Sequence, residues 1–270
     1  MNMSNLSTYI ERVRERQPLI HNITNQVVIN FTANGLYALG AAPVMTNAIE
    51  EAADMASNAD GLLLNIGTLS SPQVEAMIQA GHAANQRNIP VILDPVGAGA
   101  TTFRTEAARR ILDNVNVSLI RGNAGEIGSL AGLDVKVRGV DSEGFHDFGD
   151  IAIHAAKQLQ IPVAVTGEKD VITDGKQTFI VENGHSLLTK VTGAGCLLSS
   201  VTTAFIACGT DILESTAAAI SFYGVVAEVA AENNPGPGSF QMAFLDALHQ
   251  VDVDTFLEKM KVIFSKEEIK

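Results

Sequence analysis

Cysteine is scarce: only Cys196 and Cys208 occur among 270 residues, so no disulfide framework holds this chain together. If both lay on one helix, the twelve positions between them would span about 18 Å, beyond disulfide reach. A reducing, cytoplasmic setting is expected. Basic residues are also few. With 18 Lys and Arg against 30 Asp and Glu, the net charge of −12 argues against a nucleic-acid or anionic-membrane surface. A nucleotide substrate stays open, because a local nest of N–H groups binds phosphate even on an acidic protein. No secretion signal is expected, since Glu11, Arg12, Arg14, Glu15 and Arg16 stand where an apolar stretch would be needed. The uncharged run from Val191 to Thr210 has the length of a membrane span, but its six Ser/Thr and three Gly point to a buried helix of a soluble protein. There is no internal repeat, low-complexity linker or composition break, and a single domain over 1–270 is expected.

Several phosphate and metal signatures are missing too. Gly175-Lys176 lacks a glycine five positions earlier and is followed by Gln177, so it fails the Walker pattern at both ends. The dinucleotide pattern Gly-x-Gly-x-x-Gly fails at Leu198 after Gly193 and Gly195, and at Thr102 after Gly97 and Gly99. The six histidines show no paired ligand spacing that would suit zinc.

What is present is a recurring unit. Gly61-Leu62-Leu63-Leu64-Asn65-Ile66-Gly67, Pro90-Val91-Ile92-Leu93-Asp94, Val117-Ser118-Leu119-Ile120-Arg121-Gly122-Asn123 and Pro162-Val163-Ala164-Val165-Thr166-Gly167 read as strands buried on both faces. Between them lie helical stretches, one opened by Ser71-Pro72, one near 104–113 and one beginning at Glu126. This predicts a three-layer α/β/α fold with a mostly parallel central sheet. Asn65, Asp94, Arg121, Asn123 and Thr166 stand at strand ends, where ligands of such sheets bind. Ser7 is a candidate cap for a first helix closed by Pro18, and Val171–Gly184 alternates as a hairpin around Gly175-Lys176. Residues 134–150 read as loop, with Asp141 and Asp147 solvated. The alanine-rich stretch from Ser215 to Glu232 reads as a helix buried in the core or in a subunit interface. Pro235-Gly236-Pro237-Gly238 breaks it, and Ser239 can cap a short helix. Val253, Phe256, Leu257, Met260, Ile263 and Phe264 read as the apolar face of a last helix.

Val191-Thr192-Gly193-Ala194-Gly195-Cys196 leads into a helical run through Leu197, Val201, Ala204, Phe205 and Cys208. Free N–H groups at such a helix start attract an anion, and glycines let it approach; the same turn also suits a plain strand-to-helix connection. Cys196 in the first turn is either an acidified thiol that accepts a substrate proton or a small buried apolar residue, whereas Cys208 reads as core. Asp94 and Glu126 suit magnesium, which prefers few carboxylates plus water and phosphate. They equally suit a cap before Pro95 and an acid complementing a helix N-terminus. Arg121 is either a phosphate clamp or half of a salt bridge. The amide-rich stretch from His21 to Asn34 reads as ligand contacts or as turn chemistry.

Six ordered segments carry a resemblance. They are Thr24–Gly35, Gly40–Met45, Asn65-Ile66-Gly67-Thr68, Asp94–Ala100, Arg121-Gly122-Asn123 and Val191–Cys196. Together they resemble the hydroxyethylthiazole kinase family of the ribokinase-like superfamily over nearly the whole chain. The resemblance implies magnesium- and ATP-dependent phosphorylation of 4-methyl-5-(2-hydroxyethyl)thiazole in thiamin salvage. It implies Arg121 and Thr166 on the nucleotide, and Met45, Gly193, Asn25, Val27 and Gly67 around the thiazole. Gly193, Ala194, Gly195 and Cys196 would form the anion hole, with Cys196 where the superfamily usually has a catalytic aspartate. A homotrimer with active sites between subunits is also implied. A kinase for a hydroxymethylpyrimidine or a sugar, and a non-catalytic thiazole or nucleotide sensor, are the competing readings.

Overall fold

The computed structural model describes residues 3–133 and 148–266. Six strands run parallel: β1 (Leu19–Ile23), β2 (Ala42–Val44), β3 (Gly61–Asn65), β4 (Val91–Asp94), β5 (Leu119–Asn123) and β6 (Val163–Thr166). Antiparallel β7 (Asp170–Thr173), β8 (Thr178–Val181) and β9 (Val262–Ser265) complete a nine-stranded sheet of order β2-β1-β3-β4-β5-β6-β7-β8-β9.

Helices cover both faces, as the apolar parallel strands require. On one face lie α1 (Thr8–Arg16), α2 (Ile29–Leu39), α8 (Ala194–Cys208), α9 (Ile212–Ala231), α10 (Pro237–Gln250) and α11 (Val253–Lys259). On the other lie α3 (Ala52–Asn58), α4 (Ser71–Gln86), α5 (Thr102–Asn114), α6 (Ala124–Leu130) and α7 (Phe148–Leu159). Leu62, Leu63 and Leu64 of β3 are fully buried, each contributing roughly 1.5–3 kcal/mol of apolar burial. The register aligns Asn65 with Asp94 and Asn123 with Thr166, so the polar residues that end these strands stand in a row at the carboxyl edge.

The helix starts follow their caps. Ser70 accepts from Gln73 N ahead of α4, Thr101 accepts from Arg104 N ahead of α5, and Asn123 and Glu126 form a reciprocal capping box on α6. Ser7 departs from its expected role: a 3-10 turn over Met3–Ser7 runs straight into α1, and the Ser7 side chain makes no capping bond to it. The α4 cap is Ser70, one residue earlier than Ser71-Pro72 suggests.

Five further differences concern strands β1 and β2, the last apolar pattern and the starts of α10 and α7. The polar stretch from His21 hides β1, whose amides are satisfied inside the fold, and β2 is a three-residue edge strand too short to carry a pattern. The 253–264 pattern divides: α11 ends before Met260, and Val262-Ile263-Phe264 pairs with β8 because adjacent β-branched and aromatic residues favour a strand. Ser239 lies inside α10, which starts at Pro237 and runs to Gln250. Phe148–Asp150 open α7 rather than continue a loop, while Asp141 and Asp147 lie outside the described residues.

The alanine-rich helix α9 is covered within the chain by α8, α10 and the sheet, so its burial calls for no second subunit. It is long and apolar enough to cross a bilayer, yet 78% of its most apolar stretch is buried inside the fold. Both cysteines sit on α8, and Cys208 is buried in the core as expected.

Candidate active site

The turn before α8 depends on a backbone conformation that favours glycine. Gly193 has φ +88°, and a Cβ there would stand 2.4 Å from Val28 Cγ1. Ala194 N–H turns back to the Val191 carbonyl at 3.3 Å, whereas no backbone carbonyl among the described residues takes the N–H of Gly195 or Cys196. The Gly193 N–H likewise meets no acceptor among the described residues, so three of the four expected anion-hole donors are available and the fourth is partly engaged. Two side chains hold the turn from below. Arg121 Nη1 donates to Gly195 O at 3.0 Å, and the buried Tyr223 hydroxyl donates to Ala194 O at 2.7 Å.

Arg121 also donates from Nη2 to Thr166 Oγ1 at 2.7 Å, while its Nη1 stands 4.0 Å from Asp94 Oδ2. Its Nε is buried and meets no acceptor among the described residues. The Asp94 pairing is thus loose, and the guanidinium is tied mainly to Gly195 and Thr166. The guanidinium borders a cleft of about 670 Å3 that Thr166, Asp170, His185, Leu188 and Tyr223 also line. Burial pushes the Asp170 carboxyl up to about 6.

On the other side of the turn, polar side chains run from Cys196 to Ser199. Asn25 Nδ2 donates to Cys196 Sγ at 3.3 Å and to Asn65 Oδ1 at 3.0 Å. Asn65 Nδ2 donates to Asp94 Oδ2 at 2.7 Å, and Ser199 Oγ donates to the same oxygen at 2.8 Å. Burial pushes Asp94 up to about 6, with the nearby Glu126 charge adding to the rise and Arg121 opposing it. At Cys196 the surroundings oppose the acidified of its two expected readings. Burial and then the Asp94 charge raise its thiol above the ordinary range, and the Asn65 and Asn25 amides oppose this only in part. Desolvation outweighs the helix N-terminus here because the sulfur is largely covered.

Glu126 Oε1 accepts from Gly97 N at 2.8 Å and its Oε2 from Asn123 N at 2.9 Å. The acid therefore braces the loop after β4 and caps α6, as one of its two expected readings holds. No group of three or more His, Cys, Asp or Glu side chains among the described residues is arranged to hold a metal ion. Asp94 and Glu126 retain further lone pairs, so the pair fits an ion that brings water and phosphate as its other ligands, not a protein cage.

A profile of the hydroxyethylthiazole kinase family matches residues 10–254. The structure of hydroxyethylthiazole kinase protein from Pyrococcus horikoshii OT3 is 42% identical, with a TM-score of 0.89 over 97% of this chain and 99% of that one. The chain belongs to the hydroxyethylthiazole kinase family. Pyridoxal kinase from Staphylococcus aureus, solved with AMP-PCP and pyridoxal, is 15% identical with a TM-score of 0.60 over 92% of this chain and 99% of that one. A ribokinase-like superfamily protein from Enterococcus faecalis V583 is 12% identical, with a TM-score of 0.64 over 94% and 96%. These two share the fold, which is ribokinase-like.

In this member of the hydroxyethylthiazole kinase family, Asn25, Gly67, Asp94, Arg121, Thr166, Gly193, Ala194, Gly195 and Cys196 converge at the carboxyl edge, with Glu126 beside them. Val27 and Met45 lie outside the hydrogen-bonded cluster. Val27 is 68% exposed in the turn before α2, and Met45 is half-buried just beyond the edge strand β2. Asn65, expected at a ligand-facing strand end, joins that cluster, whereas three further contributors were not marked as site residues. Ser199 was visible only by its i+3 spacing from Cys196 on α8. Tyr223 and Arg104 carry no local signal. Arg104 donates to the carbonyls of Ile66, Val96 and Gly67, stapling the β3 and β4 end loops together.

Proposed function

We propose that the protein transfers the γ-phosphoryl group of ATP to the hydroxyl of 4-methyl-5-(2-hydroxyethyl)thiazole, giving the thiazole phosphate and ADP, in cytoplasmic thiamin salvage. One observation carries the reading. The Gly195-Cys196 turn, whose N–H groups meet no acceptor among the described residues, joins a cleft bordered by Arg121 and Thr166 to the polar cluster of Asn25, Asn65 and Cys196. A phosphoryl group crossing that turn would meet backbone donors that stabilise its charge, the chief task in this chemistry. The spare Nε of Arg121 suits an anion entering from the ATP side.

The alcohol oxygen forms a bond to phosphorus as the bond to the ADP oxygen breaks, and the hydroxyl proton leaves towards Cys196. Because the thiol is raised, its ionised fraction at neutral pH is small, and turnover is expected to climb with pH. Magnesium travelling with ATP would neutralise phosphate charge, and Asp94 with Glu126 would face it. We read 1–270 as one kinase domain and the assembly as a homotrimer. The exposure of Val27 supports that assembly, because a thiazole-lining residue left open in one chain needs cover from another.

The test mixes protein, ATP and magnesium with the thiazole alcohol or a hydroxymethylpyrimidine and follows ADP. Turnover confined to the thiazole is the expected result; turnover confined to the pyrimidine overturns the substrate, and thiazole binding without ADP overturns the activity. Cys196→Ser is expected to slow turnover and remove its alkaline rise, and an unchanged rate and profile would take the thiol out of the mechanism.

A further inference from the structure

The amides of Asn25 and Asn65 bridge the Cys196 sulfur and the Asp94 carboxylate, and a single backbone group decides which way both amides face. Gly67 N–H, which can only donate, meets Asn65 Oδ1 at 3.0 Å. This holds the amide oxygen towards Gly67 and turns its nitrogen to Asp94 Oδ2, 2.7 Å away, where a carboxylate accepts. With Asn65 Oδ1 held as an acceptor, the Asn25 atom 3.0 Å from it must be the nitrogen. The same nitrogen lies 3.3 Å from Cys196 Sγ, so its second hydrogen faces the sulfur. Amide oxygen and nitrogen are usually interchangeable in a structure; here a backbone donor removes the choice. Asn65 is fully buried and Asn25 nearly so, so water offers neither a substitute partner.

We propose that Asn65 is a positioning residue which, beside its own contact with the Cys196 sulfur, orients Asn25 so that an N–H donor stays on that sulfur. That donor favours the ionised sulfur over the neutral thiol, the form able to accept a substrate proton. The proposal deepens the reading of Cys196 as proton acceptor and rests on it. The charged and titratable groups facing the sulfur are Asp94 from β4, Arg121 from β5 and Tyr223 from α9, and the test variants alter none of them.

The experiment measures Cys196 alkylation by iodoacetamide against pH, located by peptide mass, in the full-length parent, Asn65→Leu, Asn25→Leu and the double variant. Each single change is expected to raise the alkylation midpoint by about one pH unit, a tenfold loss of thiolate below it. The double variant should shift by less than the sum of the two singles, since part of the Asn65 effect passes through Asn25. Asn65→Leu should also lower kcat about tenfold and leave the thiazole KM within about threefold, a split that general loosening of the pocket would not produce. A double variant whose shift is the sum of the two singles would overturn the relay. So would an unmoved midpoint in Asn25→Leu, which decides the matter alone if Asn65→Leu does not fold. Alkylation requires no turnover, so a fully active Cys196→Ser would overturn the proton-acceptor reading and leave the relay standing.

Discussion

Gly67 and Asn25 adjoin so closely that a Cβ on residue 67 would stand 2.6 Å from the Asn25 amide nitrogen and 2.7 Å from the Asn25 Cβ. Gly67 also donates its N–H to Asn65, so one residue both makes room for Asn25 and orients its partner.

Gly67→Ala is therefore expected to displace Asn25 without removing any functional atom. Overpacking of this kind costs about 1–3 kcal/mol, and loss of the Asn25 contacts should raise the thiazole KM about tenfold while leaving the ATP KM nearly unchanged. Denaturant midpoints and two-substrate kinetics check both statements. A wild-type thiazole KM would mean that Asn25 does not border the substrate.

The buried Asp94 carboxyl predicts a pH-dependent trade. Its folded value of about 6 lies above the ordinary 3.8, so the folded chain holds this proton more tightly than the unfolded chain. That binding contributes stability which is complete below about pH 4 and lost as pH rises through about 6. Asp94→Asn should then be more stable than the parent at pH 8, on the order of 3 kcal/mol, with the advantage gone at pH 4. Asp170, also near 6, leaves residual dependence in the same window. Turnover should fall at least tenfold, because an amide cannot face a cation as a carboxylate does. Thermal melts at pH 4, 6 and 8 alongside ADP release provide the check.

Arg121→Lys keeps the charge and removes the fork. Arg121 reaches Gly195 O and Thr166 Oγ1 from separate nitrogens, and a lysine ammonium cannot span both in that geometry. The ATP-dependent kcat/KM is expected to fall at least tenfold, and unchanged kinetics would limit the guanidinium to bulk charge.

Asn183 makes a prediction about stability alone. Its Nδ2 donates to Glu228 Oε1 at 3.1 Å and Lys259 O at 2.9 Å, and its Oδ1 accepts from Ser221 Oγ at 2.8 Å and Lys261 N at 2.7 Å. Asn183→Ala strands several buried groups at once and should cost about 2–4 kcal/mol. A shift of the urea midpoint with an unchanged slope measures it.

The features legible in the sequence are those with local causes. Apolar runs ending in polar residues identified β3 to β6, and their recurrence with intervening helices predicted the parallel sheet and its carboxyl-edge site. Short-range turn and cap chemistry marked the β7–β8 hairpin and the α6 start, and Gly-Ala-Gly marked the turn where α8 begins, with Cys196 in its first turn. Strand β1 was hidden because amides normally mark loops, and β9 because Ile263 and Phe264 happen to continue a helical spacing set by Val253 and Phe256.

The sequence by itself determined which chemistry-bearing residues end the strands, since alternation, capping and glycine turns act over a few neighbouring positions. Only the tertiary structure decided how those residues behave. The Cys196 thiol lies in the helix turn that its local sequence implies, yet the covering of the sulfur and the neighbouring Asp94 charge raise its pKa where the helix start alone would lower it. Asn25, Asn65, Asp94 and Ser199 meet from four separate segments, and burial is a property of what packs across the sheet, which no local pattern encodes.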